Sequence, residues 1–194
     1  MIFYLLLIAT YLIGSISSAI LICKALSLPD PRTQGSNNPG ATNVRRIAGN
    51  KVAVVVLLGD TLKGFLPVLL ATMLDLSMLE TSLIGLGAFL GHIYPVFFRF
   101  KGGKGVATYI GVLLACNTLV GVAFICIWLF IAKVLKISSL SALVATAISP
   151  VYFYLAVDEP WSSIVITAMC LLIFYTHRSN IKRLINDEED GIKS

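Results

Sequence analysis

The chain has 194 residues, of which 57% are hydrophobic and only 13% charged, and its formal net charge is +5 at pH 7. A water-soluble domain carries about 25% charged residues, so this composition excludes that class. Long apolar stretches recur along the chain, whereas a β-barrel would show short alternating segments. The composition therefore predicts an all-α polytopic membrane bundle, which we treat as one domain over 1–194.

Seven apolar segments are predicted to be transmembrane helices. In chain order they cover 2–23, 52–74, 81–98, 105–116, 119–135, 139–157 and 161–177. The first is expected to be retained rather than removed as a signal peptide, because no basic region precedes it. The fourth would reach only about 18 Å, short of a hydrocarbon core of roughly 30 Å. One alternative is a single long helix over 105–135.

The distribution of charge favours seven spans with a short fourth helix. A break at Asn117 and Thr118 separates the charged loop residues by sign. One side then holds Lys24, Arg32, Arg45, Arg46, Lys51, Arg99, Lys101, Lys104, Lys133, Lys136, Arg178, Lys182, Arg183 and Lys193, and the other holds Asp75, Glu80, Asp158 and Glu159. Because positively charged loops stay in the cytoplasm, the N-terminus is predicted outside and the C-terminus inside.

Three basic segments fall on the predicted cytoplasmic side, and the first lies in the connection 24–51. Its centre reads GSNNPGATNVRR at 35–46. Small hydrogen-bonding side chains are followed there by two guanidinium groups, which suit phosphate oxygens. From these residues alone, a phosphate site and a solvated turn with membrane anchors are equally acceptable interpretations.

The second segment reads GHIYPVFFRFKGGKGVAT at 91–108. Its glycine-rich turn, 99–105, is predicted to expose backbone N–H groups among positive charges, as a phosphate cradle does. Gly105 and Thr108 stand where the Walker and GxGxxG patterns need other residues, so nucleotide binding is not predicted. The alternative is a flexible loop with interfacial charges, beside a structural His92.

The third segment reads HRSNIKRL at 177–184. Helical spacing places His177 and Asn180 on one face. Lys182 and Arg183 are predicted to be membrane anchors, and the acidic cluster 187–190 a solvated tail.

Asp60 and Lys63 lie one turn apart within the second span. Each charge costs about 2.5–3.5 kcal/mol inside the hydrocarbon, and at this spacing the two can neutralise each other. The adjacent Gly59 and Gly64 allow another helix to approach closely. We predict a structural ion pair, with a wall of the active site as the alternative.

In this order and on this topology, the three segments resemble the motifs of the bacterial acyl-phosphate:glycerol-3-phosphate acyltransferases, the PlsY family. The likeness runs from about residue 10 to 189. Ser17, Asn37 and Arg45 differ from the family's usual proline, glycine and leucine, but none of these changes removes a polar group assigned to catalysis. The HxxxxD motif of other glycerol-phosphate acyltransferases is absent, which argues against an acyl-CoA enzyme that uses a His–Asp pair.

The resemblance implies transfer of a fatty acyl group from acyl phosphate to the 1-hydroxyl of glycerol 3-phosphate. The products would be lysophosphatidic acid and inorganic phosphate, in the first step of phospholipid biosynthesis. It also implies a multi-pass protein of the bacterial inner membrane with a cytoplasmic active site. The expected partners are both substrates and membrane lipid, without nucleic acid. We expect a monomer, and contacts with other enzymes of phospholipid synthesis are compatible with it.

The resemblance also implies roles for residues of the three motifs. The catalytic set is Ser36, Arg46, Lys104, His177 and Asn180, and the substrate-binding set is Asn38, Thr42, Asn43, His92, Gly102, Gly103 and Gly105. An acyl phosphate is already activated, so orientation and charge stabilisation are needed more than a covalent nucleophile. We therefore expect no acyl-enzyme, no cofactor and no metal. The general base is left open among His177, His92 and the substrate phosphate.

Two other functions are compatible with parts of this pattern. A transporter or channel for phosphorylated solutes would also have broken helices and intramembrane charges, but it predicts internal symmetry and polar groups near the midplane, and the sequence shows neither. A structural partner in a lipid-synthesis complex is the second alternative. It predicts that Arg46 and Lys104 are dispensable for turnover.

Overall fold

Residues 1–192 are described by a computed structural model, and helices account for most of them, which confirms the all-α prediction. The helices are α1 (Ile2–Gly14), α2 (Ser18–Ala25), α3 (Ala41–Met73), α4 (Met78–Ile93), α5 (Val106–Cys116), α6 (Thr118–Leu135), α7 (Ser138–Val157), α8 (Pro160–Thr176) and α9 (Arg178–Ile185), with a 3-10 turn at Val96–Phe98. Lys193, which the charge pattern assigns to the cytoplasmic side, lies outside the described residues.

Within residues 1–192, four helices are long and apolar enough to cross a membrane: α3, α4 with its 3-10 extension, α6 and α7. The number rises to six if two bent pairs each form one span, α1 with α2 at 44° and α8 with α9 at 59°. α5 is the remaining apolar segment and has 11 residues. Its separation from α6 confirms the predicted break, because the Asn117 side chain accepts the Val120 N–H at 3.2 Å and caps the new helix. The seven-span count and the direction of the termini stay predictions.

α3 begins eleven residues before the predicted span and includes the end of the first motif. Gly40 is its N-cap, and the helix is interrupted at Gly49, whose φ of 79° lies in the left-handed region. Such a φ is accessible to glycine at little cost. The kink separates the short polar part of α3, which carries Arg46, from the apolar part that is long enough to span. The prediction that 24–51 is entirely a connection is therefore wrong for 41–51.

Tyr109 of α5 ties four helices together in the core. Its ring makes edge-to-face contacts with Phe89 of α4 and Phe124 of α6, with centroids 6.3 and 5.7 Å apart. Its hydroxyl hydrogen-bonds to Ser149 Oγ of α7 at 2.8 Å. Because aromatic pairs and a satisfied hydroxyl add to area burial, this one side chain fixes the short helix inside the bundle.

The backbones of α3 and α5 are in direct contact. A Cβ added to Gly111 would lie 2.1 Å from the Thr61 carbonyl oxygen, and one added to Gly64 would lie 2.3 Å from the Thr108 carbonyl oxygen. The Thr108 hydroxyl donates to the carbonyl of Asp60 at 3.0 Å. Small residues at a membrane helix interface permit this approach, as predicted for Gly64.

We expect Gly111→Val to destabilise the bundle, because the new side chain would overlap the Thr61 carbonyl and force α5 away from α3. The expected loss is about 1–3 kcal/mol, or several degrees in Tm, measured by thermal unfolding in detergent. The matched control is Ala147→Val, at an exposed position of α7. An equal Tm for the two variants would contradict the proposed contact.

Candidate active site

A cavity of about 680 Å³ forms where the starts of α3, α5 and α7 meet the bent junction of α8 and α9. It brings together residues from all three sequence motifs. Its predicted site residues are Ser36, Asn38, Thr42, Asn43, Arg46, His92, Lys104, Gly105, His177 and Asn180. The expectation that three distant segments converge at one end of the bundle is therefore confirmed.

Lys104 is at the centre of the polar end of this cavity. Its Nζ donates to Asn180 Oδ1, and its carbonyl accepts the Thr176 hydroxyl at 3.0 Å. The pKa of Lys104 is lowered to about 8, mainly by burial; the Glu189 carboxylate opposes this shift, and the charges of Arg183 and Arg46 add to it. The ammonium group is thus a desolvated cation that gains from a second negative charge.

Asn180 is held in turn by Glu189, which accepts from Asn180 Nδ2 at 2.6 Å. The same carboxylate accepts from Ser139 Oγ at 2.7 Å and Arg183 Nε at 2.6 Å, and its side chain is only 6% exposed. Burial raises the pKa of Glu189, but these three hydrogen bonds outweigh it and leave the pKa below its usual value. The predictions of a solvated tail at Glu189 and a simple anchor at Arg183 are therefore wrong.

The first loop is organised by Asn43, which is almost completely buried. Its Nδ2 donates to the carbonyls of Pro31 and Gln34, each at 2.9 Å, and its Oδ1 accepts the Ser36 N–H at 2.9 Å. Because these contacts use the amide group, the structure gives Asn43 a positioning role. Asn43 also lines the cavity, and its direct contact with substrate stays a prediction. It presents Ser36 to the cavity.

Two positions of the first motif meet neighbouring elements at the cavity wall. Arg46 Nη2 lies 3.5 Å from Asp190 Oδ2, and both side chains are exposed enough to exchange partners. The Thr42 hydroxyl is 3.3 Å from Ser138 Oγ at the start of α7. The guanidinium of Arg46 is therefore only loosely paired, as a group that binds an incoming anion must be.

The glycine-rich turn differs from the predicted cradle. The N–H groups of Gly102 and Gly103 donate to the carbonyls of Ile93 and His92 at 3.2 and 3.1 Å, so a phosphate cannot use them without breaking these bonds. Glycine is needed there for close packing, since a Cβ on Gly103 would lie 2.2 Å from His92 Nε2. The predicted phosphate contact is therefore corrected for these two amides.

The backbone N–H groups that are available to an anion begin at Gly105, two residues after Gly103. Gly105 has a φ of 93° and is the N-cap of α5. Gly105, Val106 and Ala107 all line the cavity. The first N–H groups of a helix have no intrahelical acceptor and carry the positive end of its dipole. The start of α5 therefore faces the cavity as an anion-binding element beside Lys104.

A buried ion pair lies in the cavity wall that α3 forms next to His92. Lys63 Nζ lies 2.9 Å from Asp60 Oδ1 and donates to the Ile16 carbonyl at 2.8 Å, which confirms the predicted pair. His92 Nδ1 is 3.7 Å from the same carboxylate oxygen. Asp60 and His92 also line the cavity, so the interpretation as a wall of the site holds as well.

His177 closes the cavity at the bend between α8 and α9. It is 3% exposed, and its Nδ1 lies 2.9 Å from the Ile173 carbonyl oxygen. A carbonyl can only accept, so this contact assigns the proton to Nδ1 in the neutral ring. Nε2 is then the nitrogen with a free lone pair.

The other end of the cavity is apolar and extends along α5 between α3 and α6. Its lining side chains are Leu57, Leu58, Ile110, Leu114, Ile125, Trp128 and Leu129. Leu58 and Leu129 are each more than half exposed on the outer surface of the bundle. The apolar groove therefore opens sideways, toward the region that lipid chains occupy around a membrane protein.

Comparison with known proteins matches almost the whole chain to a single protein family. The family model for glycerol-3-phosphate acyltransferase matches residues 4–187. The chain is 59% identical over 192 residues to the glycerol-3-phosphate acyltransferase of Ruthia magnifica subsp. Calyptogena magnifica, covering 99% of this chain and 98% of that protein. It is 54% identical to the protein of the same name from Hydrogenovibrio crunogenus, covering 94% of this chain and 88% of that one.

Two crystal structures of PlsY, an integral membrane glycerol 3-phosphate acyltransferase, are similar to the whole bundle. The TM-score is 0.95 for the glycerol 3-phosphate form, at 38% identity, covering 100% of this chain and 96% of that chain. For the lysophosphatidic acid form the TM-score is 0.92 at 37% identity, covering 98% and 95%.

We expect Asp60→Asn to destabilise the protein, because it leaves the Lys63 ammonium buried without its counter-charge. Removing one partner of a buried pair costs about 3–5 kcal/mol, measured as a loss of Tm in detergent. The double variant Asp60→Asn with Lys63→Met should recover most of that loss. Asp75→Asn, at an exposed loop position, is the matched control. A double variant no more stable than Asp60→Asn would contradict the coupling.

Proposed function

The chain belongs to the glycerol-3-phosphate acyltransferase family, and on that premise we propose that this membrane enzyme takes its acyl group from an acyl phosphate. Its products are then lysophosphatidic acid and inorganic phosphate. The observation that carries the proposal is a single cavity with a cationic polar end and an apolar groove open to the side. An acyl phosphate is an amphiphile that needs both environments at once.

The polar end provides the charges that two phosphate groups require. Lys104 and Arg46 are its loosely compensated cations, and the start of α5 adds N–H groups. Charged hydrogen bonds of this kind contribute about 1.5–3 kcal/mol each. The phosphate of the donor and the phosphate of glycerol 3-phosphate therefore lie near the same cluster, with the acyl carbonyl at the mouth of the groove.

In the proposed step, the 1-hydroxyl oxygen of glycerol 3-phosphate attacks the acyl carbonyl carbon. The new ester C–O bond forms, the bond from the carbonyl carbon to the phosphate oxygen breaks, and inorganic phosphate leaves with its electron pair. The hydroxyl proton passes to a base, for which His177 Nε2 and a phosphate oxygen are the two groups at hand. Because the donor is already activated, orientation and charge stabilisation account for the catalysis.

We place this site at the cytoplasmic face of the bacterial inner membrane. Arg46, Lys104 and Arg183 line one cavity at one end of the bundle, and the positive-inside rule assigns a basic end of this kind to the cytoplasm. Fatty acyl chains reach the groove from the bilayer, and glycerol 3-phosphate reaches the polar end from water. The lipid product can leave through the same lateral opening.

We expect Arg46→Ala and Lys104→Ala each to lower kcat/KM by about 10- to 100-fold, because each removes a charged contact to phosphate in the transition state. The assay is formation of lysophosphatidic acid by purified protein from palmitoyl phosphate and glycerol 3-phosphate. Lys133→Ala, an exposed change at the end of α6, is the control.

Two results of that assay would contradict the proposal. Faster turnover with palmitoyl-CoA than with palmitoyl phosphate would exclude acyl phosphate as the donor. Folded variants of Arg46 and Lys104 with full turnover, or passage of glycerol 3-phosphate through proteoliposomes without acylation, would favour the structural partner or the transporter.

The low pKa of Lys104 predicts a pH dependence. Its ammonium is charged below about pH 8 and neutral above it, and only the charged form attracts the phosphate. We therefore expect kcat/KM for glycerol 3-phosphate to fall as pH rises through about 8. In Lys104→Arg the guanidinium stays charged, so the alkaline fall should move to higher pH even if the maximum rate is lower. An unchanged alkaline limb in that variant would contradict the assignment.

A further inference from the structure

A second cavity, of about 330 Å³, adjoins the first on the side of the glycine-rich turn. Ser36, Asn38 and Lys104 line both cavities, so they form the boundary between them. The remaining wall comes from Asn37, from the end of α4 with the turn after it, and from the junction of α8 and α9. None of the side chains that line the apolar groove lines this second cavity.

The two cavities differ in charge. Three cations, Arg46, Lys104 and Arg183, line the first cavity together with three carboxylates, Asp60, Glu189 and Asp190. The second is lined by Lys101, Lys104 and Arg178, and no carboxylate stands among its described lining residues. No carboxylate among the described lining residues therefore offsets the charges of Lys101 and Arg178. Such a concave surface concentrates anions from solution.

Both additional cations lie on segments held by local contacts. The Arg178 guanidinium stacks on the Tyr175 ring at 4.6 Å and donates to the Tyr175 carbonyl at 3.1 Å. The Lys101 N–H donates to the Phe98 carbonyl at 3.2 Å, within a turn also closed by the Phe100 N–H and Pro95 carbonyl at 2.9 Å. Within residues 1–192 neither side chain makes an ion pair. Their charges are therefore available to a ligand.

From this imbalance we infer that the second cavity is a phosphate-binding vestibule, in which Lys101 and Arg178 hold a phosphate dianion next to Lys104. The identity of the ion rests on the proposed function. That reaction consumes a water-soluble phosphate monoester and releases inorganic phosphate, and neither ion can travel through the apolar groove. The vestibule serves incoming glycerol 3-phosphate, outgoing inorganic phosphate, or both, since their binding chemistry is the same.

The test uses the full-length protein with Lys101→Gln, Arg178→Gln and the double variant. Lys101 and Arg178 are both exposed. The control is Lys133→Gln, which removes another exposed charge at the same end of the bundle. For incoming glycerol 3-phosphate, we expect its KM to rise about 3- to 10-fold in the double variant. For outgoing phosphate, the constant for product inhibition by inorganic phosphate should rise by a similar factor in the double variant. The KM for palmitoyl phosphate should change less than about twofold.

Restoring the charges should restore function, so Lys101→Arg with Arg178→Lys is expected to recover most of the lost affinity. Added salt should raise the KM for glycerol 3-phosphate more in the wild type than in the double glutamine variant, because screening acts on these exposed charges. Unchanged constants for both ions in the double variant would overturn the inference. An equal rise in Lys133→Gln would also overturn it, because it would indicate only the general surface potential.

A separate binding measurement distinguishes this inference from the proposed function. Calorimetric titration of the detergent-purified protein with glycerol 3-phosphate and with inorganic phosphate requires no turnover. Weaker binding in the double variant supports the vestibule even if palmitoyl phosphate is not a donor. Equal dissociation constants in wild type and double variant contradict the vestibule while leaving the acyl transfer untouched.

Discussion

The close contact between α3 and α5 is the constraint on which the rest of the site depends. A helix of 11 residues cannot by itself reach across a bilayer, so at least one of its ends has to lie within the bundle. Glycines at 64 and 111 let its backbone rest directly on α3, and the Thr108 hydroxyl adds a hydrogen bond to the Asp60 carbonyl. The N–H groups at its start are thereby fixed beside Lys104 at the cavity.

The cavity combines an apolar end with a charged, polar end. Its apolar end is built from leucine, isoleucine and tryptophan on three helices, and its polar end collects charges from segments far apart in sequence. The basic charges are kept in place by carboxylates, most clearly by Glu189, which bonds to Ser139, Asn180 and Arg183. A buried carboxylate in such a network lowers the repulsion among neighbouring cations while leaving Lys104 able to gain from a phosphate.

Structural and chemical roles overlap within the motifs. The glycines at 102 and 103 belong to a motif that is typical of phosphate binding, yet their amides bond to the end of α4 and their missing side chains make room for His92. Asn43 uses its amide to shape the loop that presents Ser36. In the structure these residues position other groups that line the cavity. Motif membership therefore indicates the neighbourhood of the site better than the role of each residue.

Much of this architecture was determined by the sequence alone. Hydropathy located the apolar helices, the charge pattern placed the break at Asn117, and the spacing of Asp60 and Lys63 indicated their ion pair, because each of these signals is local along the chain. The involvement of Glu189 and Arg183 had no such signal, since four consecutive acidic residues and a basic helix end look the same whether they are solvated or buried. The amide contacts at Gly102 and Gly103 and the charge difference between the two cavities were likewise decided only by tertiary structure. They depend on which segments meet in space, and residues up to about 150 positions apart meet here through packing that no local pattern records.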